Sequence, residues 1–380
     1  MLQLPPLSLY IHIPWCIEKC PYCDFNSHKL RGEIPEQDYL QALLDDLSND
    51  LVYVQGRILE TIFIGGGTPS LISASGIAWL LTEIKKKIPF KENIEITLEA
   101  NPGAIENQKI ADFKKAGISR FSFGVQSFQQ EKLTRLGRIH GVEEAKTAAR
   151  QAHAVNMKTF NLDLMHGLPD QTLNDALQDL QTAIDLKPTH LSWYQLTIEP
   201  NTQYFSHPPK LPEDELLWEI QEQGQKLLAA NGYQQYEISG YSKQGFECQH
   251  NLNYWRFGDY IGIGCGAHGK FTLPLENKIT RISKIKHPKG YLDRSRPFLD
   301  ESNVVDKEDL AFEYMMNRLR LFEDIPFSEF EDYTGLTVDS ISKPVQQAVN
   351  KGLLIEKQNC WQITTLGHRY LNGLLEMFMD

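Results

Sequence analysis

Cys16, Cys20 and Cys23 carry the first chemistry the sequence offers. They fall in one stretch, Cys16-Ile17-Glu18-Lys19-Cys20-Pro21-Tyr22-Cys23, while Cys248, Cys265 and Cys360 are scattered. Thiolates prefer soft metals, which means zinc or iron–sulfur clusters. A closed zinc site takes four ligands, usually as two spaced pairs, and no second pair or finger-spaced histidine is present. An electron-transfer four-iron cluster takes four cysteines. Three thiols in one loop would leave one iron of such a cluster without a protein ligand, open to a small chelating molecule. Structural zinc and fortuitous clustering are the competing readings. A disulfide framework is not expected in a chain of 380 residues whose first residues do not read as an export signal.

The cysteines need elements to hold them, and the first ~200 residues repeat one pattern: an apolar or β-branched run, a polar or glycine-rich stop, then an amphipathic helix. The runs are 8–13, 61–64, 94–98, 120–124, 159–165 and 190–197. Helical periodicity covers 38–53, 74–88, 105–116, 142–155 and 172–186, with Leu40, Leu43, Leu44, Leu47 and Leu51 on one face of the first. Strands joined by helical crossovers imply a parallel sheet. In such sheets ligands gather at the carboxyl ends of the strands. Here those ends bring the cysteines, then Gly65-Gly66-Gly67-Thr68-Pro69, Glu99, Gln126, Asp163 and Gln195. Glycines permit close backbone approach. A carboxylate at the end of a buried strand needs a donor. An internal salt bridge or a capped strand end would also satisfy Glu99 and Asp163.

The formal net charge of −11 argues against broad binding to nucleic acid, while leaving room for a local basic pocket. No run of about eighteen apolar residues occurs, so a cytoplasmic location is expected. Beyond a linker near 210–212 come a long helix over 213–231, a glycine- and aromatic-rich stretch over 233–272 with an apolar run at 260–268, and a charged segment. Helices over 310–320, 327–334 and 338–351, a hairpin over 353–364 and a last helix suggest a winged helix. The expected fold is α/β: a partial (β/α)6 barrel over 1–210, an α+β extension over 211–300, and a winged-helix-like domain over 301–380.

The CX3CX2C spacing with an aromatic before its last cysteine resembles the radical S-adenosylmethionine superfamily. Its open iron receives the amino and carboxylate groups of S-adenosylmethionine, and an electron from the cluster breaks a carbon–sulfur bond. The wider set is similar to the oxygen-independent coproporphyrinogen oxidase (HemN-like) family: Tyr10-Ile11-His12-Ile13-Pro14-Trp15-Cys16, Cys20-Pro21-Tyr22-Cys23, the glycine run, Phe123-Gly124-Val125-Gln126-Ser127 and Asp163-Leu164-Met165-His166-Gly167-Leu168-Pro169. The resemblance covers nearly the whole chain. It implies a [4Fe-4S] cluster on Cys16, Cys20 and Cys23. It also implies contacts to S-adenosylmethionine from Tyr10, Tyr22, Gly66, Gly67, Thr68, Glu99, Gln126, Arg138, Asp163 and Ile263.

Two features depart from the oxidases. They resemble CX3CX2CXC, but the fourth position here is Phe25, and the chain is shorter at its N-terminus. Both resemble a heme-chaperone branch of the family, as does His250-Asn251-Leu252-Asn253-Tyr254-Trp255, an HNXXYW pattern. An imidazole can ligate heme iron and aromatic rings can flank a macrocycle, so the resemblance points to His250, Tyr254 and Trp255 as heme contacts, with Cys248 a competing ligand. A buried histidine bonded inside a Tyr/Trp cluster is the alternative. His268 reads equally as a site residue or a core histidine. The implied function is to carry heme as cargo to client hemoproteins, membrane-associated ones included, with a homodimer as a possible form. Oxidative decarboxylation of coproporphyrinogen III and radical modification of heme are the enzymatic alternatives.

Overall fold

The computed structural model describes residues 2–104 and 107–379. Its frame is a twelve-stranded sheet. The expected strands form as β1 (Leu7–Ile13), β2 (Leu59–Gly66), β3 (Phe90–Ala100), β4 (Arg120–Gln126), β5 (Thr159–His166) and β6 (His190–Gln195), each parallel to the next. Helices α1 (Glu36–Asp50), α2 (Ala74–Lys87), α3 (Asn107–Lys115), α4 (Val142–Ala154) and α5 (Leu173–Asp185) cross between them. The expected start of α3 at Ile105 lies outside the described residues. Six of the seven β1 residues are buried, as expected for parallel strands covered on both faces. Tyr39, Leu40, Leu43, Leu44 and Leu47 of α1 are buried against the sheet.

Further strands extend the sheet at both ends. On one side, after the long helix α6 (Asp214–Ala230), come β7 (Gln234–Gln235) and β8 (Gly240–Ser242); β8 pairs antiparallel with β6, and β7 pairs antiparallel with β8 at the edge. On the other side the apolar run at 260–268 becomes β9 (Asp259–Ile263), a seventh parallel strand lying beside β1, with Leu7 opposite Asp259 and Ile11 opposite Ile263. Antiparallel β10 (His268–Leu273), β11 (Lys278–Lys284) and β12 (Leu299–Val304) follow. The strand order is linear, so the barrel is partial. No described helix is long and apolar enough to cross a membrane.

The last part has its own small sheet and core. Helix α8 (Lys307–Arg318) precedes strand β13 (Ile325–Pro326), helices α9 (Phe327–Thr334) and α10 (Ser342–Asn350), and strands β14 (Leu354–Glu356) and β15 (Cys360–Ile363). These strands pair in the order β13-β15-β14, the helix–strand–helix–helix–hairpin succession of a winged helix. Tyr314, Phe330, Val345 and Trp361 fill this second core, which also takes in Leu2 from the start of the chain. The Gln3 amide donates to Asp332 O at 2.8 Å.

Candidate cofactor site and the adjoining cavity

The cysteine loop is held at both ends. Beyond β1, Trp15–Cys16 pairs in parallel with His28–Lys29, and the Cys23 amide turns back to Cys20 O at 3.1 Å. His12 fixes the strand to the loop: Tyr10 Oη lies 2.9 Å from its Nδ1, and its Nε2 lies 2.8 Å from Asn26 O. All six cysteines are free thiols. Burial raises the thiol pKa of Cys16 and Cys23, against the pull of the Ser27 hydroxyl. Arg138 Nη1 approaches Cys20 Sγ at 3.7 Å. Among the described residues no three His, Cys, Asp or Glu side chains converge on one ion. A four-iron cluster asks something different, since each thiolate takes its own iron. Three unbridged thiols on one loop at a cavity wall fit that demand.

The three sulfurs border a cavity of about 650 Å3 whose wall also holds Tyr22, Gly66, Gly67, Thr68, Glu99, Gln126, Arg138 and Asp163. The glycines are required by packing. A Cβ on Gly67 would lie 2.4 Å from Trp15 O, and Gly66 has φ +119 with the His12 ring and Ile13 O each 2.7 Å from the position of a Cβ. The Gly67 amide donates to Ile13 O and the Thr68 amide to Trp15 O, both at 2.7 Å. These amides are therefore spent on the cysteine loop, and what this stretch can offer a bound amine is carbonyl oxygen.

Glu99 is half-buried at the cavity wall and accepts from the Gly66 amide at 3.0 Å. Burial, then the nearby Asp163, pushes its pKa up to about 7. Asp163 is also raised by burial, although Ser122 Oγ and Asn161 Nδ2 donate to it at 3.0 and 2.7 Å. Gln126 sits in left-handed backbone, φ +71, and accepts from Tyr194 Oη at 2.9 Å. Strain of this kind persists where surroundings impose it and gathers at ligand sites. Arg138 donates to Gly124 O at 2.5 Å, yet its Nε is buried with no partner. Two half-buried carboxylates at a cavity wall, with room to accept further bonds, and a guanidinium short of an acceptor suit a ligand with hydroxyls and a carboxylate. That is the donor and acceptor pattern of S-adenosylmethionine.

Glu99 makes stability depend on pH. Its folded pKa of about 7 lies above the usual 4.5, so its contribution is fully present below about 4.5 and is lost as pH rises through about 7. Glu99→Gln removes this component. The wild type should lose stability relative to the variant, on the order of 2–3 kcal/mol, between about pH 5 and about pH 8. Urea midpoints of both proteins check this, and equal slopes would refute it.

Tyr10 and Ile263 are placed elsewhere. Tyr10 opens on the next cavity, and Ile263 is wholly buried in β9 opposite Ile11 and lines neither cavity. Two wall residues carried no sequence signal. Tyr194 alternates inward from β6, and Arg320 comes from the C-terminal part, with its guanidinium 4.3 Å from the centre of the Trp255 ring.

A second cavity of about 880 Å3 adjoins the first and shares Cys23, Phe25, Gly66, Glu99 and Trp255 with it. Tyr254, Phe257 and Tyr260 give it aromatic surface, Lys19, Arg281 and Lys286 bring cationic groups to it, and His28, His268 and the Asp259-paired Lys270 complete this side of the wall. The HNXXYW residues divide here. They lie on α7 (Gln249–Trp255), where Tyr254 and Trp255 face the cavity and His250 lies beneath it. Thr61 Oγ1 and Tyr254 Oη approach His250 Nδ1 and Nε2 at 2.8 and 2.9 Å, and Phe63 stacks on its ring at 5.1 Å. Burial lowers its pKa to about 3. Cys248 is also buried away from both cavities, its thiol pushed up to about 12.

Fold and site together define a radical S-adenosylmethionine protein: residues 10–182 match the radical SAM superfamily and residues 305–370 the HemN C-terminal domain. The chain is 57% identical over 379 residues to "Heme chaperone HemW" of Escherichia coli, covering all of both chains, and 58% identical over 383 residues to that of Haemophilus influenzae, covering 100% of this chain and 99% of that one. It belongs to the heme chaperone HemW family. Its fold is also that of the solved coproporphyrinogen III oxidase HemN of E. coli, at a TM-score of 0.84 and 22% identity, covering 99% of this chain and 91% of that one.

Proposed function

We propose that this protein binds heme and passes it to client hemoproteins, with a [4Fe-4S] cluster and S-adenosylmethionine beside the cargo. The observation that carries the reading is the second cavity: aromatic walls and clustered cations in a chain of net charge −11, opening directly on the thiol-bordered cavity. A dianionic macrocycle needs both an apolar surface and positive charge, and little else in so acidic a protein would attract it. The names of the similar proteins from E. coli and H. influenzae agree with it.

In this reading Cys16, Cys20 and Cys23 hold the cluster, which together with S-adenosylmethionine supplies one-electron cleavage of a carbon–sulfur bond. Arg138 pairs with the cofactor's carboxylate. Glu99 and Asp163 accept from its ribose, and Gln126, oriented by Tyr194, closes the same wall. Phe25, at the seam between the cavities, stands where the oxidases resemble a further cysteine. Adding heme to anoxically purified protein should give a saturable Soret band, which apo-hemoprotein then depletes. Absence of saturable uptake would reject the reading. Decarboxylation of coproporphyrinogen III in an anoxic assay with reductant and S-adenosylmethionine would replace it with the enzymatic one.

A further inference from the structure

We propose that His268 is the side chain that ligates the heme iron, that Lys286 receives a propionate, and that His250 is a positioning residue beneath Tyr254. This rests on the heme reading of the second cavity and assigns the groups within it.

Strand alternation sets up the wall. His268 and Lys270 lie two apart on β10, so their side chains share a face. Ser283 and Arg281 lie directly across on β11, and Tyr260 lies across from Lys270 on β9. This face is part of the cavity. His268 is exposed to it, and among the described residues neither of its ring nitrogens has a hydrogen-bond partner.

The other histidines at or beneath the cavity each have at least one ring nitrogen engaged. Both nitrogens of His12 are occupied, by Tyr10 Oη and Asn26 O. His28 Nε2 lies 3.2 Å from both Asn26 Oδ1 and Lys286 O. His250 would have to break bonds to Thr61 and Tyr254 and leave a fully buried position to reach a ligand. An exposed imidazole with a spare lone pair can meet an iron without such losses. Burial, then Lys286 and Arg281, lowers the His268 pKa, with Glu301 opposing. The imidazole is thus neutral near neutral pH, as an iron ligand must be.

The cation beside it completes the fit. Lys286 is exposed on the cavity wall, and among the described residues its ammonium makes no ion pair. Arg281 is already paired, its Nε and Nη2 donating to Glu313 at 3.1 and 2.6 Å and its Nη1 to Tyr260 Oη at 3.1 Å, which leaves Lys286 as the cation for a propionate. Trp255 lines the same cavity with a buried indole N–H that has no partner.

The experiment is ferric heme titration of the full-length protein, read by absorbance and electron paramagnetic resonance, for the wild type, His268→Ala, His250→Ala and Lys286→Ala. His268→Ala is expected to lose the nitrogen-ligated spectrum and at least about tenfold in affinity, with added imidazole restoring the spectrum. His250→Ala should keep the wild-type coordination signature while binding more weakly as Tyr254 loses its support. Lys286→Ala should weaken heme several-fold and leave heme dimethyl ester unaffected. A wild-type signature in His268→Ala, or its loss in folded His250→Ala, overturns the ligand assignment. Equal weakening of heme and its diester by Lys286→Ala, or no weakening of either, overturns the propionate assignment. A wild type that takes up no heme overturns the functional reading itself.

Discussion

Replacing Cys20 with alanine is expected to abolish loading of a four-iron cluster. After anoxic reconstitution the wild type should hold about four irons per chain and the variant less than about one, because two thiolates cannot retain the cluster. Broad absorption near 400 nm and S-adenosylmethionine binding should disappear together, since in the proposed function the cofactor is received at the vacant iron. The fold should survive. Cys20 is only half-buried on a loop, and its Sγ makes long contacts alone, 3.7 Å to Arg138 and 4.0 Å to Gly137 O. A stability change within about 1 kcal/mol is expected. Cys360→Ala is the control, since that thiol lies on β15 in the C-terminal sheet. Full iron content in Cys20→Ala, or equal loss in Cys360→Ala, would refute the assignment of the metal centre.

The largest effect on stability is expected at Lys284. Its ammonium is 1% exposed and lies 2.6 Å from Asp46 Oδ1 and 2.7 Å from Asp50 Oδ2. Asp46 also accepts from Tyr291 Oη at 2.7 Å and from the Gly264 amide at 3.1 Å. This one cation joins α1 to β11 and to the loop after β9. Lys284→Met strands two buried carboxylates, and removing one partner of a buried pair typically costs about 3–5 kcal/mol. Burial already raises Asp50 to about 6 even with the lysine present. Without the lysine its pKa rises further, so the deficit of the variant should shrink as pH falls toward about 6 and protons take over the neutralisation. Denaturant titrations at acid and neutral pH check this, and a deficit independent of pH would contradict it.

Much of the frame was legible because its signals are local. Apolar runs and helical periods mark β1 to β6 and their helices, and the rule that ligands meet the carboxyl ends of parallel strands gathers Cys16, Gly67, Glu99, Gln126 and Asp163. What escaped depends on distance along the chain. The run at 260–268 gives no sign that Asp259–Ile263 pairs in parallel with a strand some 250 residues earlier. That pairing draws Ile263 into the core. The HNXXYW pattern left two readings open, heme contact or a histidine bonded within an aromatic cluster, and the helix geometry bears on that choice. His250 and Tyr254 are four apart, so a helix stacks them on one face, and they bond to each other. Residue types suggested two ligand contacts, while the helix makes one residue the support of the other. Arg320 was invisible because only tertiary folding brings the C-terminal part to the cofactor wall.

The docking of Leu2 and Gln3 onto the C-terminal part has a mechanical consequence. Only a few residues separate that anchor from β1, and β1 leads straight into the cysteine loop. The winged unit is thus moored at two points, through its own covalent connection and through the opening residues of the chain. It cannot swing outward without tugging the strand that carries the thiols or letting go of Asp332. Levering this unit away from Trp255 would pull, by the same stroke, on the loop that holds Cys16, Cys20 and Cys23.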